Sequence, residues 1–322
     1  MIATSAATAT EAAAAFVDAH LGAARALGGA AAQDVQDPEA FADTLHAGLA
    51  ALADPVFLAG QRTVAPGIGA LHGVRAPLLD AVGQGLRDAT PDDRATTLLF
   101  VADRLLREEH LEAHWLAFDI LERTLPGEPE RTWQLMRRAA RTAGDWITVD
   151  SLARPFSVGV VLEPYRWSEL EQLVYSPSRW ERRLIGSTIA TLANGRAGRD
   201  LGPSVVARAI PILAQLMGDA EPDVQKALGW AYRSLAALDG TAVTTALQSE
   251  AAVAARTGDG HRAWVIRDAL PELPAADADA LRSTLSGVRE RSDAPASSAA
   301  AATVAAFGGL PDPAAHPEPP LR

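Results

Sequence analysis

A dipeptide ending in proline recurs along this chain, at Asp37-Pro38, Thr90-Pro91, Glu128-Pro129, Glu163-Pro164, Ser176-Pro177, Gly202-Pro203 and Glu221-Pro222. Each opens a run of apolar residues at helical spacing. Proline suits that place because its fixed φ matches a helix and its missing N–H is one that the first turn leaves unpaired. Starts at 91, 129, 164, 203 and just after Gly240 lie 35 to 39 residues apart. Between them, second helices are expected near Arg107, Asp145, Pro177, Pro222 and Asp259. Each unit is then an A helix, a short turn and a B helix. One such pair cannot bury its own apolar face, so successive pairs must stack. No alternating stretch of strand length competes with this pattern. The expected fold is all-α, a solenoid (superhelix) of HEAT-like helical-pair repeats with a concave face.

The repeats cover about residues 90–275, and residues 37–84 form an atypical first unit whose apolar face carries Phe41, Leu45, Leu49 and Leu52. Thr90 is expected to cap a helix, with Asp93 as its capping-box partner. Residues 1–33 are rich in alanine but hold few large apolar side chains with which to pack. Residues 290–322 carry Pro311, Pro313, Pro317, Pro319 and Pro320 among alanines and serines. The expected organisation is an Ala-rich N-terminal extension at 1–33, a HEAT-like repeat domain at 34–289 and a disordered Pro/Ala-rich tail at 290–322.

The chain lacks cysteine, which excludes disulfides, thiolate zinc sites and a cysteine nucleophile. Its first residues have no basic segment, carry Glu11 where a signal peptide is apolar, and no run approaches the length of a membrane span. A cytoplasmic protein without a membrane partner is expected. The formal charge of −11 argues against a simple nucleic-acid binder, yet the charge is uneven. Residues 131–235 carry fourteen Lys and Arg against ten Asp and Glu, while the remainder carries fifteen against thirty. Lys226 is the single lysine, so this local basic character is almost wholly arginine, whose planar fork suits phosphate and aromatic partners.

Polar and aromatic residues coincide on the expected B helices. Trp146 and Asp150 are four apart, Trp180 and Arg183 three apart, and Lys226, Trp230 and Arg233 share a third helix face. Trp264 stands near Arg262 and Arg267 on a fourth. Taken singly, a tryptophan at helical spacing is ordinarily core, and Asp145 or Asp150 near a helix start is ordinary end electrostatics. Their recurrence on successive B helices points instead to a common functional face.

These segments resemble the bacterial DNA alkylation repair glycosylases of the AlkD type. Asp145-Trp-Ile-Thr-Val-Asp150-Ser is similar to that family's Trp-x-x-x-Asp-Ser element, Arg179-Trp-Glu-Arg-Arg183 to its Trp-x-x-Arg element, and Gln225-Lys-Ala-Leu-Gly-Trp230-Ala-Tyr-Arg233 to its Gln-Lys-Ala-Ile-Gly-Trp-x-x-Arg element. Weaker echoes are His72-Gly-Val-Arg75-Ala-Pro77 and Ala117-Phe-Asp119-Ile, and the similarity spans roughly residues 65–270. The resemblance implies that Asp150 is the catalytic carboxylate, with Trp146 and Trp230 beside it, and that Arg183 binds DNA, with Arg179, Arg182, Lys226 and Arg233 as further DNA contacts. The sequence departs from the family at Pro222-Asp223 and at Val64, where bulky aromatic residues are expected.

The implied reaction suits these residue types. An N3- or N7-alkylated purine is cationic and leaves readily, so the developing oxocarbenium sugar is what needs stabilising, and a carboxylate supplies that charge. The expected partner is double-stranded DNA containing alkylated bases, acted on by a monomer associated with the bacterial nucleoid. A narrower expectation is removal of bulky adducts. The competing expectation is a non-catalytic HEAT-like scaffold that binds DNA or protein.

No cofactor or metal is expected. His110 and His114 stand four apart near Glu108, Glu109 and Glu112, but the metalloprotease order is absent, and the segment reads as an exposed charged helix face. Gly67-Ile-Gly69-Ala-Leu-His-Gly73 has the wrong last spacing for a dinucleotide loop.

Overall fold

A computed structural model describes residues 2–91 and 94–307. Among these the regular structure is all helical, with a single isolated parallel bridge between Ala70 and His110. None of the described helices is long and apolar enough to cross a membrane. The described residues divide into a first unit ending at Leu135 and a second beginning at Met136.

The first unit contains α1 (Ile2–Ala31), α2 (Pro38–Ala51), α3 (Pro55–Val64), α4 (Ala76–Ala89), α5 (Ala95–Leu105) and α6 (Leu111–Thr124). Asp37 and Asp54 cap α2 and α3, each carboxylate accepting two amide N–H groups just ahead of a proline at the first turn. The core is built from Phe41, Leu49, Leu78, Leu98, Leu99 and Leu121, all almost fully buried.

The N-terminal stretch differs from the expectation of weak packing. Helix α1 lies directly on α4, with Ala24 and Ala31 buried. A Cβ added at Gly28 would run into the Val82 carbonyl, and one at Gly85 into the Arg25 carbonyl. The two backbones approach because glycine leaves no side chain between them, so the packing comes from small residues rather than from large apolar ones. Thr90 is also placed differently: it ends α4 rather than opening a helix, and its Oγ1 donates to the Leu86 carbonyl at 2.8 Å. Asp93 lies outside the described residues.

Helix α7 (Pro129–Thr142) leads into the second unit, which holds α8 (Trp146–Leu162), α9 (Arg166–Gln172), α10 (Arg179–Asn194), α11 (Arg196–Leu201), α12 (Pro203–Leu216), α13 (Pro222–Thr257), α14 (Gly260–Ala269), α15 (Ala275–Thr284) and α16 (Ala299–Ala306). Asp239, with φ −152° and ψ 84°, breaks α13, and its carboxylate caps the second half through the Ala242 amide. The helix start expected just after Gly240 is therefore present inside α13. The expected B helices are α6, α8, α10, the first half of α13, and α14, beginning within a few residues of the sequence positions.

Helices α8, α10, α13 and α14 pack in series within this unit, each against the next. Part of the segment expected to be disordered is ordered. Ser297 donates its amide to the Gly218 carbonyl at 2.8 Å, and α16 packs on α12, with Ala300 buried. The proline-rich end of that segment, residues 308–322, lies outside the described residues.

Candidate active site

The start of α8 is locked by Asp145. Its buried carboxylate accepts the Thr148 amide at 2.9 Å and the Thr148 hydroxyl at 2.7 Å. Trp146 is the first residue of that helix, and Asp150 follows one turn later on the same face. Helix α10 opens at Ser178, which caps the Trp180 amide, and presents Arg183 and Ser187 one turn apart. Two points on α10 thus meet one carboxylate on α8.

Asp150 Oδ1 accepts from Arg183 Nε at 3.0 Å and from Ser187 Oγ at 2.6 Å, while Oδ2 accepts from Arg183 Nη2 at 2.7 Å. This is the parallel, charge-assisted pairing for which guanidinium and carboxylate are matched. The third guanidinium nitrogen, Nη1, donates to the Asp223 carbonyl at 2.8 Å, at the opening of α13. Trp146 lies beside the pair, its ring centroid 5.9 Å from the guanidinium carbon. The Arg183 side chain is only 7% exposed, against 22% for Asp150. The arginine is therefore a buried strut, and the carboxylate is the member of the pair that solvent, or a ligand, can reach.

The close approach of α10 and α13 rests on Gly186, where an added Cβ would sit 2.7 Å from the backbone of Ala227. That approach brings the Asp223 carbonyl within reach of Arg183. Asp223, next to the exposed Pro222, thus touches the Arg183–Asp150 ion pair through its main-chain carbonyl.

The other expected site residues are placed in different ways. Arg182 is paired with Asp219 at 2.7 Å and also donates to the Ser176 carbonyl at 2.8 Å. Arg233 is ion-paired with Asp268, for which Gly229 leaves room. Arg179 is half-exposed, stacks over the Trp180 ring at 4.6 Å, and lies 3.6 and 3.7 Å from Glu221 and Asp223. Lys226 is exposed and forms no ion pair among the described residues. Trp230 is half-buried on α13 and does not hydrogen-bond to Asp150. The structure thus gathers Asp150, Arg183 and Trp146, and adds Ser187, which the sequence reading missed. The four-residue spacing from Arg183 to Ser187 is the signal that could have found it.

A carboxylate held at three hydrogen bonds and still open to one side can stabilise a cation without rearranging. Over residues 45–273, which include every residue of this cluster, the chain matches the family described as DNA alkylation repair enzyme. No curated relative matches the chain.

Proposed function

This chain belongs to the DNA alkylation repair enzyme family, and from that membership we propose that it is a monofunctional DNA glycosylase that removes N3- or N7-alkylated purines from duplex DNA. The observation that carries the reading is Asp150, fixed by Arg183 and Ser187 yet partly exposed. As the cationic purine departs, positive charge builds on the sugar, and the Asp150 carboxylate sits ready to stabilise it and to orient the water that completes hydrolysis. Trp146 offers a π face to the same cation, as does Trp230 where α13 contributes to the face. Arg183, engaged by protein groups on all sides, acts as a positioning residue for Asp150. Phosphate binding falls to the exposed Lys226 and Arg179, with Arg182 and Arg233 behind them. On this reading residues 34–289 act as one HEAT-like repeat domain, and the protein works as a monomer without a cofactor.

Release of 3-methyladenine and 7-methylguanine from methylated duplex DNA tests the proposal. Wild type should release both, and Asp150→Asn should be slower by about 10²–10³-fold, the range for loss of one preorganised charge-stabilising group. Equal rates in the two proteins would remove Asp150 from the chemistry, and binding of duplex DNA without base release by either would favour the scaffold reading.

A second reading concerns lesion size. The Asp223 carbonyl meets the Arg183–Asp150 ion pair, and Pro222-Asp223 stands where bulky aromatic residues are expected from the resembled glycosylases. Bulky purine adducts should therefore be excised as well as methyl ones. Clearance of methyl lesions alone would eliminate this extension.

A further inference from the structure

Three histidines from separate parts of the first unit converge. His46 lies on α2, His72 in the loop before α4, and His110 at the N-cap of α6. The His72 and His110 rings stack at 4.0 Å between centroids, and His46 meets them edge-on at 4.7 and 5.1 Å. Each ring offers one nitrogen such that the three nitrogens lie within 4.8 Å of one another. His72 Nε2 and His110 Nδ1 are buried and have no hydrogen-bond partner among the described residues. Buried polar atoms are paired in the great majority of cases, so two orphans in one cluster call for a partner that protein groups do not supply. From this we infer that His46, His72 and His110 bind one divalent transition-metal ion of the zinc class, which staples α2, the 70–75 loop and the start of α6 together.

The support around the rings is rigid. The carboxylate of Glu112, almost fully buried on α6, accepts the amides of His72, Gly73 and Val74 at 3.2, 2.8 and 3.2 Å. The Leu111 amide donates to the Ala70 carbonyl at 3.0 Å, so the loop carrying His72 is tied to the turn carrying His110. Gly73 makes that loop possible. Its φ is +92°, and a Cβ there would stand 2.7 Å from Leu58 Cβ. Glu112 thus belongs to the buried support of this loop rather than to the exposed charged face expected from sequence. His114, the other half of the four-residue spacing, turns away to the Glu108 carbonyl at 2.8 Å.

The donor set selects the ion. Three imidazoles suit zinc, copper, nickel or cobalt, whereas magnesium and calcium require oxygen ligands. Metal binding needs the neutral imidazole, so zinc uptake by the cluster should weaken as pH falls. Metal–nitrogen bonds of about 2.0–2.1 Å draw tetrahedral ligand atoms to roughly 3.4 Å of one another. Closure therefore parts the stacked pair by ring rotation and leaves a fourth position on the exposed His46 side for water.

The test uses the untagged full-length chain, freed of metal by chelator and dialysis, with zinc and cobalt salts as probes. Wild type should bind one Zn²⁺ per chain, and Co²⁺ should give the visible absorption of a nitrogen-ligated site that zinc then displaces. At free zinc 100-fold above Kd the folding equilibrium constant rises about 100-fold, read as an upward shift of the thermal midpoint that chelator reverses. His46→Ala, at the exposed ligand, should keep the metal-free midpoint and weaken zinc binding at least tenfold. His110→Asn should abolish the cobalt spectrum. Absence of stoichiometric binding by wild type, or undiminished binding by His46→Ala and His110→Asn alike, would overturn the site. None of these readouts depends on base release.

Discussion

Asp150 and Arg183, thirty-three positions apart in sequence, meet through two parallel hydrogen bonds, from Nε to Oδ1 at 3.0 Å and from Nη2 to Oδ2 at 2.7 Å. Because Arg183 spends its remaining nitrogen on the Asp223 carbonyl, its cation is committed within the protein. Lysine can supply charge there but not the paired geometry. Arg183→Lys should thus lower kcat for base release by about tenfold or more, since one charge-assisted bond is worth about 1.5–3 kcal/mol. The affinity for duplex DNA and its salt slope should stay close to wild type. A defect confined to DNA affinity would instead make Arg183 a phosphate-binding residue.

Lys226 and Arg179 should behave in the opposite way. Replacing either with alanine should weaken DNA binding at all sequences and reduce the slope of log K against log salt by about 0.9 for each phosphate no longer neutralised. The rate of base release at saturating DNA should change little. Fluorescence anisotropy over a salt series measures this, and an unchanged slope in the double variant would exclude both residues from the interface.

Ser187 donates to the oxygen of Asp150 that Arg183 Nε also reaches. Ser187→Ala leaves the ion pair in place and removes one donor. Base release should fall by less than in Asp150→Asn, about three- to tenfold, corresponding to about 0.5–1.5 kcal/mol for one hydrogen bond. Single-turnover rates at saturating enzyme would show it.

Tyr232, on α13 just after Trp230, is fully buried, and its hydroxyl has no hydrogen-bond partner among the described residues. Burial pushes its phenol well above the ordinary tyrosine range, with the Glu250 charge adding to it. An unpaired buried hydroxyl costs stability that its removal restores. Tyr232→Phe should be neutral or more stable by about 1 kcal/mol, measured by denaturant midpoint. A clear destabilisation would mean the hydroxyl is paired in solution.

Acid should loosen the second unit through Asp259. Burial raises its carboxyl, but the Arg262 amide, the Ser297 hydroxyl and the Arg262 guanidinium outweigh that effect and hold it below the usual value of 3.8. A depressed folded value means that the unfolded chain takes up the proton first. The stability from these bonds is complete above pH ~4 and is lost as pH falls through the folded value. Asp259→Asn should lower the midpoint at neutral pH and flatten its fall below pH ~4.

How far the sequence reaches is visible in these residues. Helix starts at α2, α7, α12 and α13 follow from proline at the first helical turn, and Asp145 and Asp259 cap α8 and α14 from positions the repeat spacing had already marked. The sharing of a face by Trp146 and Asp150 follows from helical period alone. These features are local: each depends on groups within one turn of chain. The sequence by itself therefore determined the all-α class, the repeat and the order of its helices.

Only the tertiary structure decided which charges face each other. Arg179, Arg182 and Arg183 are near neighbours of identical type, yet one is half-exposed, one is tied to Asp219, and one is buried against Asp150. Their fates depend on the register at which α10 meets α8 and α13, and on the α13 side Gly186 lets the two backbones touch. The same holds for α1 on α4 and for the convergence of His46, His72 and His110 from three segments. Such meetings between helices arise from packing distance and crossing, which no local pattern of residue types encodes.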